Sequence, residues 1–166
     1  MRSLIVISAL LITAAFAQID SGRPRAVKNY VSTDVTPTVS LNPGKTAQVE
    51  MRFRVNPGYH VNSHTPNSEL LIPTNLEFKP LDKIKAGTIT YPKGEQFALD
   101  YAPREKISVY TGDITTEVPV VVAKDAAAGT YSLKGELQYQ ACNNSSCFPP
   151  RSLPVEITVV VKNTSK

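Results

Sequence analysis

Ala47-Gln48-Val49-Glu50-Met51-Arg52-Phe53-Arg54-Val55, residues 47–55, alternates apolar side chains with polar or charged ones without a break. A strand turns successive side chains to opposite faces, so this stretch fits a strand with one face buried and the other in water. A helix would scatter the same apolar residues around its circumference. Working outward, Tyr131, Leu133, Leu137 and Tyr139 repeat the pattern, with Gly135 in the series as an expected bulge. Val155, Ile157, Val159 and Val161 repeat it again. Shorter strands are expected at 38–41, 74–79, 88–91, 106–111 and 117–123. Turn signals fall between them at Asn42-Pro43-Gly44, Asn56-Pro57-Gly58, Pro92-Lys93-Gly94 and Thr111-Gly112-Asp113.

Short strands at this spacing predict an all-β fold, an immunoglobulin-like antiparallel β-sandwich. One capped helical turn is expected at Asp125–Gly129. Tyr131 stands where such sandwiches place a corner tyrosine; an ordinary half-buried strand residue is the other reading.

The chain has 166 residues, enough for one domain with a real core. Arg2, the mostly apolar run 4–14 and Ala15-Phe16-Ala17 read as a secretory signal peptide, and the run is short for a membrane span. The expected organisation is a signal peptide at 1–17, an N-terminal arm or linker at 18–36, one domain at 37–162 and a tail at 163–166. The mature chain would then be periplasmic or secreted after cleavage near Ala17, with no membrane span. The formal charge is +4, but the basic residues form no stripe, so nucleic acid is not an expected partner. His60 and His64 have a spacing found in metal sites. On a strand-and-turn stretch they need not share a face, and no third ligand is near in sequence. Neither a metal nor another cofactor is expected, and no nucleophile elbow or phosphate-binding glycine loop appears.

Cys142 and Cys147 are the two cysteines of the chain. They bracket Asn143-Asn144-Ser145-Ser146, between the strands expected at 130–140 and 152–161. In secreted space an even pair permits one intramolecular disulfide. A four-residue hairpin loop sets its flanking residues opposite each other, with Cα atoms about 4.5–5.5 Å apart and within disulfide reach. The ring so closed is small, and chain entropy makes it worth about 2 kcal/mol. Pro149 pushes Phe148 to an extended shape, and neither Pro149 nor Pro150 can donate to a sheet ladder. The pair is therefore expected at an edge or tip, where another thiol can approach. No Lys, Arg or His lies within three residues of either cysteine, so thiolate stabilisation must come from elsewhere in the fold. Two readings stand: a structural staple in a non-enzymatic secreted binding sandwich, or a redox pair.

Tyr139-Gln140-Ala141-Cys142 and Cys147-Phe148-Pro149-Pro150 occur together with four further stretches: 58–66, 71–74, 91–94 and 109–112. In these residues the chain resembles the N-terminal periplasmic domain of the DsbD thiol–disulfide interchange proteins and the related stand-alone disulfide bond corrector domains. The stretches come in the family's order, over roughly 35–161. The resemblance implies an immunoglobulin-like domain acting as a protein-disulfide reductase or electron-transfer component. Its redox pair would take electrons from a thioredoxin-like or membrane donor and pass them to oxidised periplasmic proteins. By position, Cys147 matches the cysteine that forms mixed disulfides and Cys142 the one that resolves them, with Tyr139, Phe148, Pro149 and Pro150 as the neighbouring motif. A cap loop would run from Glu95 to Pro103, with Phe97 or Tyr101 as the shielding aromatic and Glu95 or Asp100 as acidic neighbours of the thiols. The chain departs from the best-known members in having one residue fewer between the cysteines. It also carries no thioredoxin-type C-x-x-C, which implies a donor on a separate protein.

Overall fold

The computed structural model describes residues 29–99 and 102–163. The expected signal peptide, most of the arm 18–36, Asp100, Tyr101 and the tail from 164 onward lie outside the described residues. Within them the chain is all strand: β1 (Val31–Ser32), β2 (Thr38–Leu41), β3 (Thr46–Val55), β4 (His60–Asn62), β5 (Asn75–Phe78) and β6 (Ile84–Ala86), then β7 (Glu95–Leu99), β8 (Ala102–Tyr110), β9 (Asp113–Val122), β10 (Gly129–Tyr139), β11 (Ala141–Cys142) and β12 (Arg151–Val161). No helix among the described residues is long and apolar enough to cross a membrane.

Two sheets, in the orders β1-β3-β9-β6 and β2-β12-β10-β5, form the sandwich. The alternation at 47–55 sorts as its chemistry demands. Val49, Met51, Phe53 and Val55 are buried, while Glu50, Arg52 and Arg54 face water. From the other sheet come Leu133, Leu137 and Tyr139 of β10 and Val155, Ile157, Val159 and Val161 of β12. Each such side chain contributes about 1.5–3 kcal/mol on burial. All pairings are antiparallel except β2 with β12.

A third sheet, β11-β4-β8-β7, is built where three chain segments leave the sandwich. β3 passes into β4 through Asn56-Pro57-Gly58, and β8 passes into β9 at Gly112. Gly58 (φ 82°) and Gly112 (φ 57°) hold left-handed backbone at these two crossings, which suits glycine. β10 passes into β11 at Gln140. Cys142 belongs to this third sheet, and Cys147 bridges to it from the loop that follows.

Several expectations are corrected. β10 and β12 pair without a register break from Gly129↔Val161 to Tyr139↔Arg151, so Gly135 is no bulge. A Cβ there would collide with the Glu77 carbonyl and the Phe78 ring, so close approach of β5 is what requires glycine. The Asp125–Gly129 segment makes no helical turn; Ala126 N–H closes a turn on the Ala123 carbonyl at 3.2 Å. The strand expected at 88–91 is reduced to one bridge, Thr90↔Glu117. The end of the arm 18–36 belongs to the fold, since β1 pairs with β3 and Val31 is fully buried. Tyr131 does act as a corner residue, its hydroxyl donating to the Ala127 carbonyl at 2.8 Å.

Candidate functional site

The turn between the cysteines is held by its own polar side chain. The Asn143 carboxamide oxygen accepts from the N–H groups of Ser145 and Ser146, each at 2.9 Å, and Asn143 N–H donates to the Ser146 carbonyl at 2.9 Å. Phe148 N–H donates to the Ala141 carbonyl at 2.8 Å, just outside the cysteines. Cys142 and Cys147 therefore face each other as an antiparallel bridge and form a disulfide, with Cα atoms 3.9 Å apart. This is closer than the spacing of an ordinary cross-strand pair.

The two sulfur-bearing residues lie in different surroundings. Cys142 sits in β11 and is 0% exposed, whereas Cys147 lies in the exposed part of the loop. Pro149 and Pro150 beyond it are exposed. Phe148 is half-buried and stacks on Tyr30, with ring centroids 4.8 Å apart; Tyr59 stands 5.9 Å from it. The Arg151 guanidinium lies 5.6 Å from the Tyr30 ring centre. Tyr139 is buried at the end of β10. It supports the hairpin from within the core.

Amides tie the hairpin to its neighbours. Gln140 Nε2 donates to the Phe148 carbonyl at 3.2 Å. Asn62 Nδ2 donates to the Ile72 carbonyl at 2.9 Å and, at 3.4 Å, to Gln140 Oε1.

The stretch expected as a cap loop is in part a strand. Glu95–Leu99 forms β7 and pairs with β8, because Glu95, Phe97 and Leu99 take the register opposite Val109, Ile107 and Ala102. Glu95 is exposed, and its Oε2 accepts from Thr111 Oγ1 at 3.2 Å. Phe97 is half-buried, with its ring centroid 4.5 Å from that of His60. Asp100 and Tyr101 lie outside the described residues.

His60 is the residue that sequence reading did not connect to the cysteines. It is the strand partner of Cys142, it is 2% exposed, and its Nε2 has no hydrogen-bond partner among the described residues. Burial pushes its pKa below 6.5. A strand starting directly after the Asn56-Pro57-Gly58 turn was the available signal. His64 is elsewhere: its ring stacks on Tyr91 at 3.7 Å and its Nδ1 lies 3.0 Å from the Thr74 carbonyl oxygen. Among the described residues no three His, Cys, Asp or Glu side chains gather as a metal site would require.

Chemically, an exposed cysteine bonded to a buried one suits thiol–disulfide exchange, in which an incoming thiolate must reach a sulfur.

Similar solved structures include the reduced N-terminal domain of DsbD from Neisseria meningitidis. It is 23% identical, with 66% of this chain and 74% of that chain covered and a TM-score of 0.43. A structure of the complex between the DsbD and PilB N-terminal domains of Neisseria meningitidis matches at 22% identity (66% and 73% covered, TM-score 0.42). The N-terminal periplasmic domain of ScsB from Proteus mirabilis matches at 11% identity, with 76% of this chain and 44% of that chain covered and a TM-score of 0.49. No curated protein sequence matches the chain. Residues 28–158, including both cysteines and every strand of the third sheet, match the family described as thiol:disulfide interchange protein DsbD, N-terminal, and the chain belongs to that family.

Proposed function

We propose that the chain is a periplasmic thiol–disulfide interchange module. It takes reducing equivalents from a thioredoxin-like or membrane donor and passes them to oxidised periplasmic proteins through Cys142 and Cys147. The observation that carries this reading is the asymmetry of the pair, an exposed Cys147 bonded to a fully buried Cys142.

The reaction follows from that asymmetry. A donor thiolate bonds to Cys147 Sγ, the Cys142–Cys147 bond breaks, and its electron pair goes to Cys142 Sγ, which takes up a proton. A second donor thiolate attacks the donor sulfur of the mixed disulfide and leaves Cys147 reduced. In the outgoing half, the Cys147 thiolate attacks a target disulfide, and Cys142 then attacks Cys147 Sγ to release the reduced target. On this reading residues 1–17 are removed on export, the segment after them is an arm whose end, from Tyr30 through β1, joins the working module that runs to 162, and 163–166 are a tail.

The test is equilibration of the protein with glutathione buffers and with a thioredoxin-like domain. Exchange at a potential above about −300 mV is the expected result. A potential far below that value would mark an inert staple, and the reading would fail.

A further inference from the structure

The buried cysteine presents a problem that its own neighbourhood in sequence does not solve. A thiol must lose its proton to become a nucleophile, and a buried thiol holds its proton more tightly than one in water. Cys142 is fully buried, and no base lies near it along the chain.

Strand pairing brings one. Cys142 and His60 are directly opposed in the antiparallel β11–β4 pair. Directly opposed residues project from the same face, with Cβ atoms about 4.5–5.5 Å apart. The register places Glu95 and Phe97 of β7, Ile107 and Val109 of β8, His60 and Asn62 of β4, and Cys142 of β11 on that one face, and the alternation of β8 carries Glu105 towards it. Glu95 is the ionisable group that β7 brings to this face among the described residues, and its carboxylate is exposed and engaged by Thr111. From β8, Ile107 and Val109 do not titrate and Glu105 is exposed to water, and β11 contributes Cys142 itself. Phe97 covers the imidazole, which limits access of water to it. His60 Nε2 is buried without a hydrogen-bond partner among the described residues, which is uncommon for a polar atom; in the tautomer with the proton on Nδ1 it is free to accept a proton.

We propose that His60 is the proton acceptor for Cys142 in the resolving step of exchange, an inference that rests on the redox reading of the cysteine pair. When a target is held on Cys147 as a mixed disulfide, the Cys142 thiol proton passes to His60 Nε2. Cys142 Sγ bonds to Cys147 Sγ, the bond from Cys147 to the target breaks, and its electron pair leaves on the target sulfur. The imidazolium gives its proton to the departing thiolate. Burial keeps the imidazole neutral at pH 7, so it is ready to accept and does not retain what it accepts.

The experiment is single-turnover reaction of the reduced protein with dithiobis(nitrobenzoate), which releases one coloured thiolate on attack by Cys147 and a second on resolution by Cys142. With His60→Gln the second phase slows at least about tenfold at pH 7 while the first is unchanged, and the gap closes as pH rises past the thiol range near about 8.5. In the unmodified protein the second phase rises with a midpoint below 6.5, that of the buried imidazole. This profile decides the matter even if the variant fails to fold. Equal second phases at pH 7, or a second phase in the unmodified protein that follows thiol ionisation alone, overturn the proposal and leave the redox reading intact. Absence of both phases in the unmodified protein overturns the redox reading and this inference with it.

Discussion

The Phe97 ring stands over the imidazole of His60, with centroids 4.5 Å apart and planes tilted by 37°. Since His60 in turn pairs with Cys142, Phe97 is the outer layer of a stack that ends at the buried cysteine. Phe97→Ala is expected to speed reduction of the disulfide by dithiothreitol several-fold while costing about 1 kcal/mol of stability from the lost ring contact. Reduction kinetics and a denaturant melt measure the two effects. An unchanged reduction rate would show that the ring shields nothing.

Single-cysteine variants expose the asymmetry of the pair. Cys142→Ser leaves the exposed Cys147 thiol, and Cys147→Ser leaves the buried one. Alkylation by iodoacetamide should be at least about tenfold faster in the first variant, because reaction requires access as well as thiolate. The double variant should lose all exchange and about 2 kcal/mol of stability or less.

Gly135→Ala drives a methyl group into the Glu77 carbonyl and the Phe78 ring. The expected cost is about 1–3 kcal/mol, read from a denaturation midpoint. The potential of the cysteine pair should not move, since Gly135 pairs with Val155 in the sandwich and not with the third sheet.

Stability should depend on pH through His60. Its pKa is depressed in the folded state by burial, so below 6.5 the unfolded chain binds a proton that the folded chain resists. The stabilising contribution is complete above 6.5 and declines as pH falls towards the folded-state value. Asp113, held low by its hydrogen bond and charge pairing with Arg54, and Asp125, held low by its hydrogen bond to Lys83, act in the same direction. Their contributions are present above 3.8 and are lost as pH falls further. His60→Gln should flatten the upper part of this profile and leave the acid limb in place. Chemical denaturation between pH 8 and pH 3 would show it, and an unchanged upper slope would contradict the assignment.

How far the chain could be read without its structure depended on the range of the interactions involved. The alternation at 47–55 and at 155–161 is a local pattern, and it marked β3 and β12 because one buried face leaves a period of two. β6 has only three residues and β7 reads Glu-Gln-Phe-Ala-Leu, so neither shows that period; pairing with β9 and β8 makes them strands. Gly135 looked like a bulge because a glycine in a strand has two common causes, and the approach of β5 that decides between them comes from residues far away in sequence. The cysteine hairpin was legible from its turn residues and prolines. His60 was not, because its place beside Cys142 is set by the register of two short strands separated by most of the domain.

The disulfide spans a sequence separation of five residues, within a turn already held by Asn143. Opening so small a ring frees little chain, so the sandwich beneath it has almost no stake in whether the bond is closed. Both states can share one scaffold, and the bond can be spent and restored through many cycles without the molecule unfolding in between.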